Sequence, residues 1–126
     1  MKYMLNLSSL LLFSENAKAL SDFYGKILQK QPEWAQGDWT GYQIGSGSIA
    51  IGPHDKVHGK NSNPDRIIFN LDTDNVQEEF NRIKELGVEV IAEPYHPGEE
   101  PEMWIATFAD VDGNYFQITT PWKADQ

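Results

Sequence analysis

Few residues of this chain can do chemistry near neutral pH. There is no cysteine, which excludes disulfides, thiolate ligands and thiol nucleophiles. Of the three histidines, His54 and His58 stand in the polar stretch Pro53–Pro64 (PHDKVHGKNSNP) with Asp55 between them. That spacing suits weak Zn or Ni binding. The competing reading is a pair of surface-loop histidines, since two ligands without a fixed scaffold bind poorly. His96 lies in an acidic, proline-rich loop, Tyr95–Glu102 (YHPGEEPE), which is either solvated or a negative rim favouring a cationic ligand. The four tryptophans (Trp34, Trp39, Trp104, Trp122) and Tyr42 are many for the length. Trp34 and Trp39 flank a hairpin turn and suit either stacking on a flat ligand or packing in a core or dimer interface. Trp104 is expected to face the helices. No nucleophile–base pair of the kind covalent catalysis needs is present in the pattern.

The elements that would position these residues follow from periodicity. Met4–Phe13 (MLNLSSLLLF) reads as a buried strand rather than a signal peptide, because Asn6, Ser8 and Ser9 interrupt the apolar run. Ser14-Glu15-Asn16 supplies helix-cap chemistry, and helical spacing of Ala19, Leu20, Phe23, Tyr24, Ile27 and Leu28 predicts a helix over Ala17–Leu28, ended by Pro32. Strands follow around Glu33–Gln36, Trp39–Ile44 and Ser48–Ile51, punctuated by Gly37-Asp38 and Gly45-Ser46-Gly47. After the connector the order repeats. Arg66–Leu71 is a strand. Asp74-Asn75-Val76-Gln77 resembles a capping box, ahead of a stripe of Val76, Phe80, Ile83 and Leu86 that closes at Gly87. Val88–Ala92, Met103–Ala109 and Tyr115–Thr119 are three more strands, the last two joined by Asp112-Gly113-Asn114. Strand, helix and three strands thus occur twice, about 58 residues apart, an internal duplication rather than a solenoid.

Composition narrows the partners. At 126 residues and 40% apolar content, the chain is expected to be one folded domain over 1–126: a first module of about 1–53, a connector 54–64 and a second module of about 65–122. The formal net charge of −9 makes nucleic acid a poor partner. No stretch approaches the roughly 18 apolar residues of a membrane span. Absence of cysteine fits a cytoplasmic protein.

Three stretches resemble the vicinal oxygen chelate superfamily, which includes glyoxalase I, bleomycin-binding proteins, fosfomycin-resistance enzymes and extradiol dioxygenases. They are Leu20-Ser-Asp-Phe23-Tyr24 through Ile27-Leu28, with Gln29 where glycine is usual; Glu85-Leu86-Gly87-Val88; and Ala106-Thr-Phe-Ala-Asp110-Val-Asp112-Gly113-Asn114, with Val111 replacing proline. The resemblance implies an α+β fold of two βαβββ modules forming a cup-shaped curved sheet flanked by helices, and a homodimer.

In metal-using members each module contributes two ligands from strands facing the cup. Carried onto this chain by strand alternation, those positions fall on Ser8, Ala50 (or Ile51 if the register slips), Arg66 and Gln117. Divalent metals want imidazole or carboxylate donors, and a guanidinium has no lone pair to give. The expectation is therefore a site with no metal and no cofactor. The same alternation turns Leu10, Leu12, Ile68, Asn70, Ile105, Thr107, Tyr115 and Thr119 toward the cup, with Trp39 bordering it. This is the mixed lining of a small-molecule pocket. A buried Arg66 must be paired, either with a carboxylate or phosphate on a ligand or internally with Gln117, Asn70 or Glu93. Three functions compete: metal-free binding of a small organic ligand in the manner of bleomycin-resistance proteins; a metal-dependent lyase, isomerase or dioxygenase; and metal-free acid–base catalysis or a purely regulatory module.

Overall fold

The computed structural model describes residues 4–122. Residues 1–3 and 123–126, which the sequence reading includes in its single domain, lie outside the described residues. By contact the chain divides into two compact units, with the boundary between Gly59 and Lys60, inside the connector. Each unit is one helix on one four-stranded sheet.

The first unit runs β1 (Ser9–Phe13), α1 (Ala17–Leu28), β2 (Trp34–Gln36), β3 (Trp39–Ile44) and β4 (Gly47–Gly52). Its sheet has the order β1-β4-β3-β2, with β1 parallel to β4 and the rest antiparallel. Asn16 caps α1 by accepting from the Ala19 N–H at 3.2 Å, and the fully buried Ser14 accepts from the Asn16 N–H at 2.9 Å. One face of α1 (Ala17, Leu20, Tyr24, Ile27) packs on the sheet. The helix stops three residues before Pro32, at Gln29. Gln29 sits in the left-handed region (φ 58°, ψ 45°), and the following Lys30 N–H closes on the Gly25 carbonyl at 3.2 Å.

The second unit repeats the plan with β5 (Phe69–Asp72), α2 (Val76–Glu85), β6 (Glu89–Tyr95), β7 (Ile105–Ala109) and β8 (Tyr115–Thr119), in the sheet order β5-β8-β7-β6. Asn75 caps α2 through Glu78 N–H at 3.0 Å, and Gly87 takes φ 89° beyond its end. Phe80 of α2 stacks on Phe108, which stacks on Phe116. The β7–β8 turn closes around the buried Asp110. Its carboxylate accepts from the backbone N–H of Asp112 and Asn114 and from the Asn114 side chain, while Gly113 takes φ 81°. The connector is tied to this turn, because Asn61 donates from its backbone to Asp112 and from its amide to Asn114.

Three expected strands are shorter than their apolar runs. β1 begins at Ser9 rather than Met4, β7 at Ile105 rather than Met103, and β5 at Phe69 rather than Arg66. Asn63-Pro64-Asp65-Arg66 forms a turn instead, with Arg66 N–H on the Asn63 carbonyl at 3.2 Å and proline at the second position, where its fixed φ belongs. No described helix is long and apolar enough to cross a membrane.

Gln29 is the one non-glycine residue at positive φ among the described residues. Holding a side chain there costs about 1 kcal/mol or slightly more, partly offset by the greater unfolded-state freedom of glycine. Gln29→Gly is therefore expected to stabilise the protein by roughly 0.3–0.5 kcal/mol. A urea denaturation midpoint that stays put or falls would contradict this.

Candidate functional site

The hydroxyl of Tyr42 decides which face of the first sheet is open. It donates to the Ser21 carbonyl of α1 at 2.9 Å and lies 3.2 Å from the Ser21 hydroxyl, which also accepts from Thr40 at 2.7 Å. Tyr42 and Thr40 therefore point at the helix. Through the register, so do Ile49, Ile51, Leu10 and Leu12. The opposite face carries Ser9, Leu11, Phe13, Trp39, Gly41, Gln43, Ser48, Ala50 and Gly52.

On that open face two tryptophans lie across two glycines. Trp34 of β2 is directly opposite Gly41 of β3, and Trp39 of β3 faces Gly52 of β4. A Cβ on Gly41 would collide with the Trp34 indole, and one on Gly52 with the Trp39 indole, so each ring lies flat on bare backbone. Phe13 meets Trp39 edge-on at 5.7 Å and His54 at 5.1 Å. The result is an aromatic platform: Trp34 is 48% exposed and Leu11 52% exposed beside it. No strand position on this face holds an Asp, Glu, Lys or Arg. β2 is anchored at its start by Glu33, whose carboxylate is held below the usual carboxylate range. The Lys30 ammonium at 2.6 Å is the main cause, followed by the Gln43 N–H at 2.7 Å.

The open face of the second sheet differs. Phe80–Phe108 stacking turns Phe69, Phe108, Phe116 and Ile118 toward α2, leaving Asn70, Asp72, Glu89, Ile105, Thr107, Tyr115, Gln117 and Thr119 on the other side. Asn70, Gln117 and Thr107 stand in register across β5, β8 and β7, and Gln117 donates its amide to the Thr107 hydroxyl at 3.0 Å. This is a neutral hydrogen-bonding row flanked by Tyr115 and Ile105.

Several expectations are corrected. Leu10 and Leu12 face α1, not the open side, and Ser8 precedes β1 with its carbonyl accepting from the Ser48 hydroxyl. Arg66 is an exposed turn residue, so it needs neither a ligand carboxylate nor Gln117, Asn70 or Glu93 as partner. Ile68 lies just before β5, 37% exposed. Trp104 precedes β7, 39% exposed, with its ring 3.9 Å from that of His96. Trp39, Asn70, Ile105, Thr107, Tyr115 and Gln117 remain on open faces, the first in one unit and the others in the second. Phe13, Gly41, Gly52 and His54 were missed as site residues. Counting outward from the two-residue Gly37-Asp38 turn pairs Trp34 with Gly41, so that signal was in the sequence.

A separate cleft of about 870 Å³ lies on the helix side of the first sheet, lined in part by Ser21, Lys26, Gln29, Lys30, Asp38 and Tyr42. Its floor hydroxyls satisfy one another, Lys30 is paired with Glu33, and Lys18 at its edge is paired with Asp22, whose hydrogen bond raises the Lys18 pKa. Among its lining side chains Lys26, Gln29 and Asp38 stand outside these pairings.

A glyoxalase-like domain family model matches residues 10–119. The chain therefore belongs to that family, within the vicinal oxygen chelate superfamily. Among solved structures it is similar to a glyoxalase-related enzyme from Fulvimarina pelagi, at 18% identity and TM-score 0.74 over 97% of this chain and 95% of that one. It is also similar to a glyoxalase/bleomycin resistance protein/dioxygenase family enzyme from Burkholderia phytofirmans PsJN, at 20% identity and TM-score 0.72 over 92% and 98%. No curated protein matches.

The metal that many members of this superfamily use does not fit the residues here. Ala50 offers no donor, Ile51 is fully buried against α1, Arg66 is a cation in a turn, and the Gln117 amide is engaged with Thr107. Among the described residues no three His, Cys, Asp or Glu side chains come together as a metal site.

Two predictions follow from the platform and its anchor. Gly52→Ala is expected to lift the Trp39 indole, destabilising the fold by about 1–3 kcal/mol as overpacking does and shifting tryptophan emission; an unchanged spectrum and stability would mean the ring does not lie on Gly52. For Glu33, a folded pKa below the unfolded one means that its ion pair stabilises the fold above the ordinary carboxylate range. That contribution is lost as pH falls through the folded value. An NMR acid titration should find Glu33 ionised to lower pH than a free glutamate side chain, and Lys30→Met should move it back toward the free value.

Proposed function

We propose that this protein binds a small, flat, uncharged organic molecule on the open face of the first sheet, by stacking and without a metal, as a sequestering or resistance-type binder. The observation that carries this reading is the pair of tryptophans laid flat on glycines. A ring lying on backbone has one face spent and the other available, and flat π-faces stack on planar ligands with offset geometry. The absence of charge on that face favours a neutral ligand, because an ionic one would lose hydration with nothing to replace it.

A metal-dependent lyase, isomerase or dioxygenase is the family alternative. It requires a Lewis acid and a carboxylate base in reach, and no observation favours it here.

A thermal-shift screen of planar organic compounds tests the reading. A ligand at 100 times its Kd adds about 2.7 kcal/mol of stability. A hit is expected to quench tryptophan fluorescence and to lose at least about tenfold in affinity in Trp39→Ala, equivalent to about 1.4 kcal/mol, the upper part of the range for an aromatic pair. Affinity retained in both Trp34→Ala and Trp39→Ala would place the site elsewhere. Calorimetric titration of chelator-treated protein with Ni, Zn, Mn and Fe is expected to show no tight stoichiometric binding; such binding would overturn the metal-free reading.

A further inference from the structure

The cleft on the helix side of the first sheet takes no part in the stacking platform, which lies on the opposite face. One wall is α1, with Ser21, Lys26 and its cap residue Gln29; the other is the β2–β3 hairpin, with Asp38 in the turn and Thr40 beyond it. Its volume of about 870 Å³ is that of a small-molecule pocket.

The floor is a closed set of hydrogen bonds. Tyr42 commits its proton to the Ser21 carbonyl, and Thr40 commits its own to the Ser21 hydroxyl. The Ser21 hydroxyl, 3.2 Å from the Tyr42 oxygen, is left to donate there. All three protons are thereby committed. The Thr40 oxygen accepts from no group among the described residues, so the floor offers a ligand lone pairs. Ser21 and Tyr42 are 5% and 3% exposed, so turning a proton outward would break a buried bond. Such a floor holds a hydrogen-bond donor and gives an anion nothing.

Charge on the walls narrows the choice. Lys18 pairs with Asp22 and Lys30 with Glu33. Lys26 on α1 and Asp38 in the hairpin turn have no ion pair or hydrogen bond among the described residues. Opposite charges therefore face one cleft from separate elements. A plain anion would approach a chain of net charge −9, and a plain cation would leave Lys26 unmatched. A neutral polyol would give both charges weaker bonds than an ionic partner gives. A molecule carrying both charges matches both, and a primary ammonium brings three donors for the oxygens of Thr40, Asp38 and the Gln29 amide.

We propose that the cleft between α1 and the β2–β3 hairpin binds a small zwitterion of the free amino acid class, its ammonium on Thr40 and Asp38 and its carboxylate on Lys26. This site lies across the sheet from the platform, so a failed screen of planar compounds leaves it standing.

The test is two-dimensional amide NMR of the full chain titrated with each standard L-amino acid, up to about 10 mM, ten times the Kd of a weak 1 mM site. At least one is expected to give saturable shifts at Lys26, Gln29, Asp38 and Thr40. N-acetylating that amino acid, or amidating its carboxylate, is expected to weaken it at least about tenfold. Lys26→Met and Asp38→Asn, both at exposed positions, are each expected to do the same. Thr40→Val should also weaken binding, Thr40→Ser should restore it, and Trp34→Ala and Trp39→Ala should leave it unchanged. The proposal is overturned if no amino acid binds saturably, if the acetylated or amidated form or glucose binds as well as the parent, or if the loss appears only in the tryptophan variants.

Discussion

One hydroxyl sets the geometry of the first unit. Tyr42 reaches under α1 to the Ser21 carbonyl, and the helix admits it because residue 25 is glycine: a Cβ there would stand 2.9 Å from the tyrosine oxygen. A strand has only two faces, so committing Tyr42 to the helix commits Trp39, Gly41 and Gln43 to the other side. Register carries the choice outward. Thr40 faces Ile51, Leu12 pairs with Ile51, and Trp34 pairs with Gly41. Reversing Tyr42 would bury the indoles under α1 and expose Ile49 and Ile51, which are now among the most buried residues. The aromatic platform thus depends on a buried hydrogen bond on the opposite face of the same sheet.

The second unit solves the same problem with rings instead of a hydroxyl. Phe80, Phe108 and Phe116 stack between α2 and the sheet, and that apolar commitment leaves the polar residues outward, Asp72 and Glu89 among them. The two units share a topology and differ in what their open faces display: indoles on glycine in one, an amide–hydroxyl row in the other. Duplicated scaffolds allow this because the helix-facing positions carry the stability and the open positions remain free to vary.

This division explains what could be read in advance. Both helices, the hairpins and the Asp110–Asn114 turn were legible because amphipathic spacing, Asn caps and glycine turns each have a local cause. The face of β1 was not. Leu10-Leu11-Leu12-Phe13 is apolar at every position, so alternation has nothing to count, and the register differs by one residue from the expected one, which puts Leu10 and Leu12 on the helix side. Arg66 failed for a different reason. The apolar run that follows it predicts a strand from Arg66, although Asn63-Pro64-Asp65 already spells a turn whose hydrogen bond takes Arg66 out of the sheet. Tyr115, Gln117 and Thr107 fared better because Phe116 and Ile118 alternate cleanly with polar neighbours. The Trp–Gly pairs occupy a middle ground: turn lengths define them, but only if register is counted across two hairpins together.

The four positions carried over from metal-using relatives bear on chemistry differently once each has a place. Arg66 loses its force as a buried cation, because water solvates it in the turn. Ala50 gains force. It lies on the open face between Leu11 and Gly41, where a histidine or carboxylate would have neighbours without polar groups to orient it, and ligating side chains depend on such support. Gln117 is held by Thr107, so its amide is oriented for recognition rather than free to ligate. The case against a bound metal therefore rests less on one repelling charge than on the carried-over positions as built: the first sheet's face offers flat apolar rings, and in the second Gln117 sits in an amide–hydroxyl row, with the carboxylates of Asp72 and Glu89 at other positions of that face. The first face suits the stacking of a neutral molecule better than the polarisation of one.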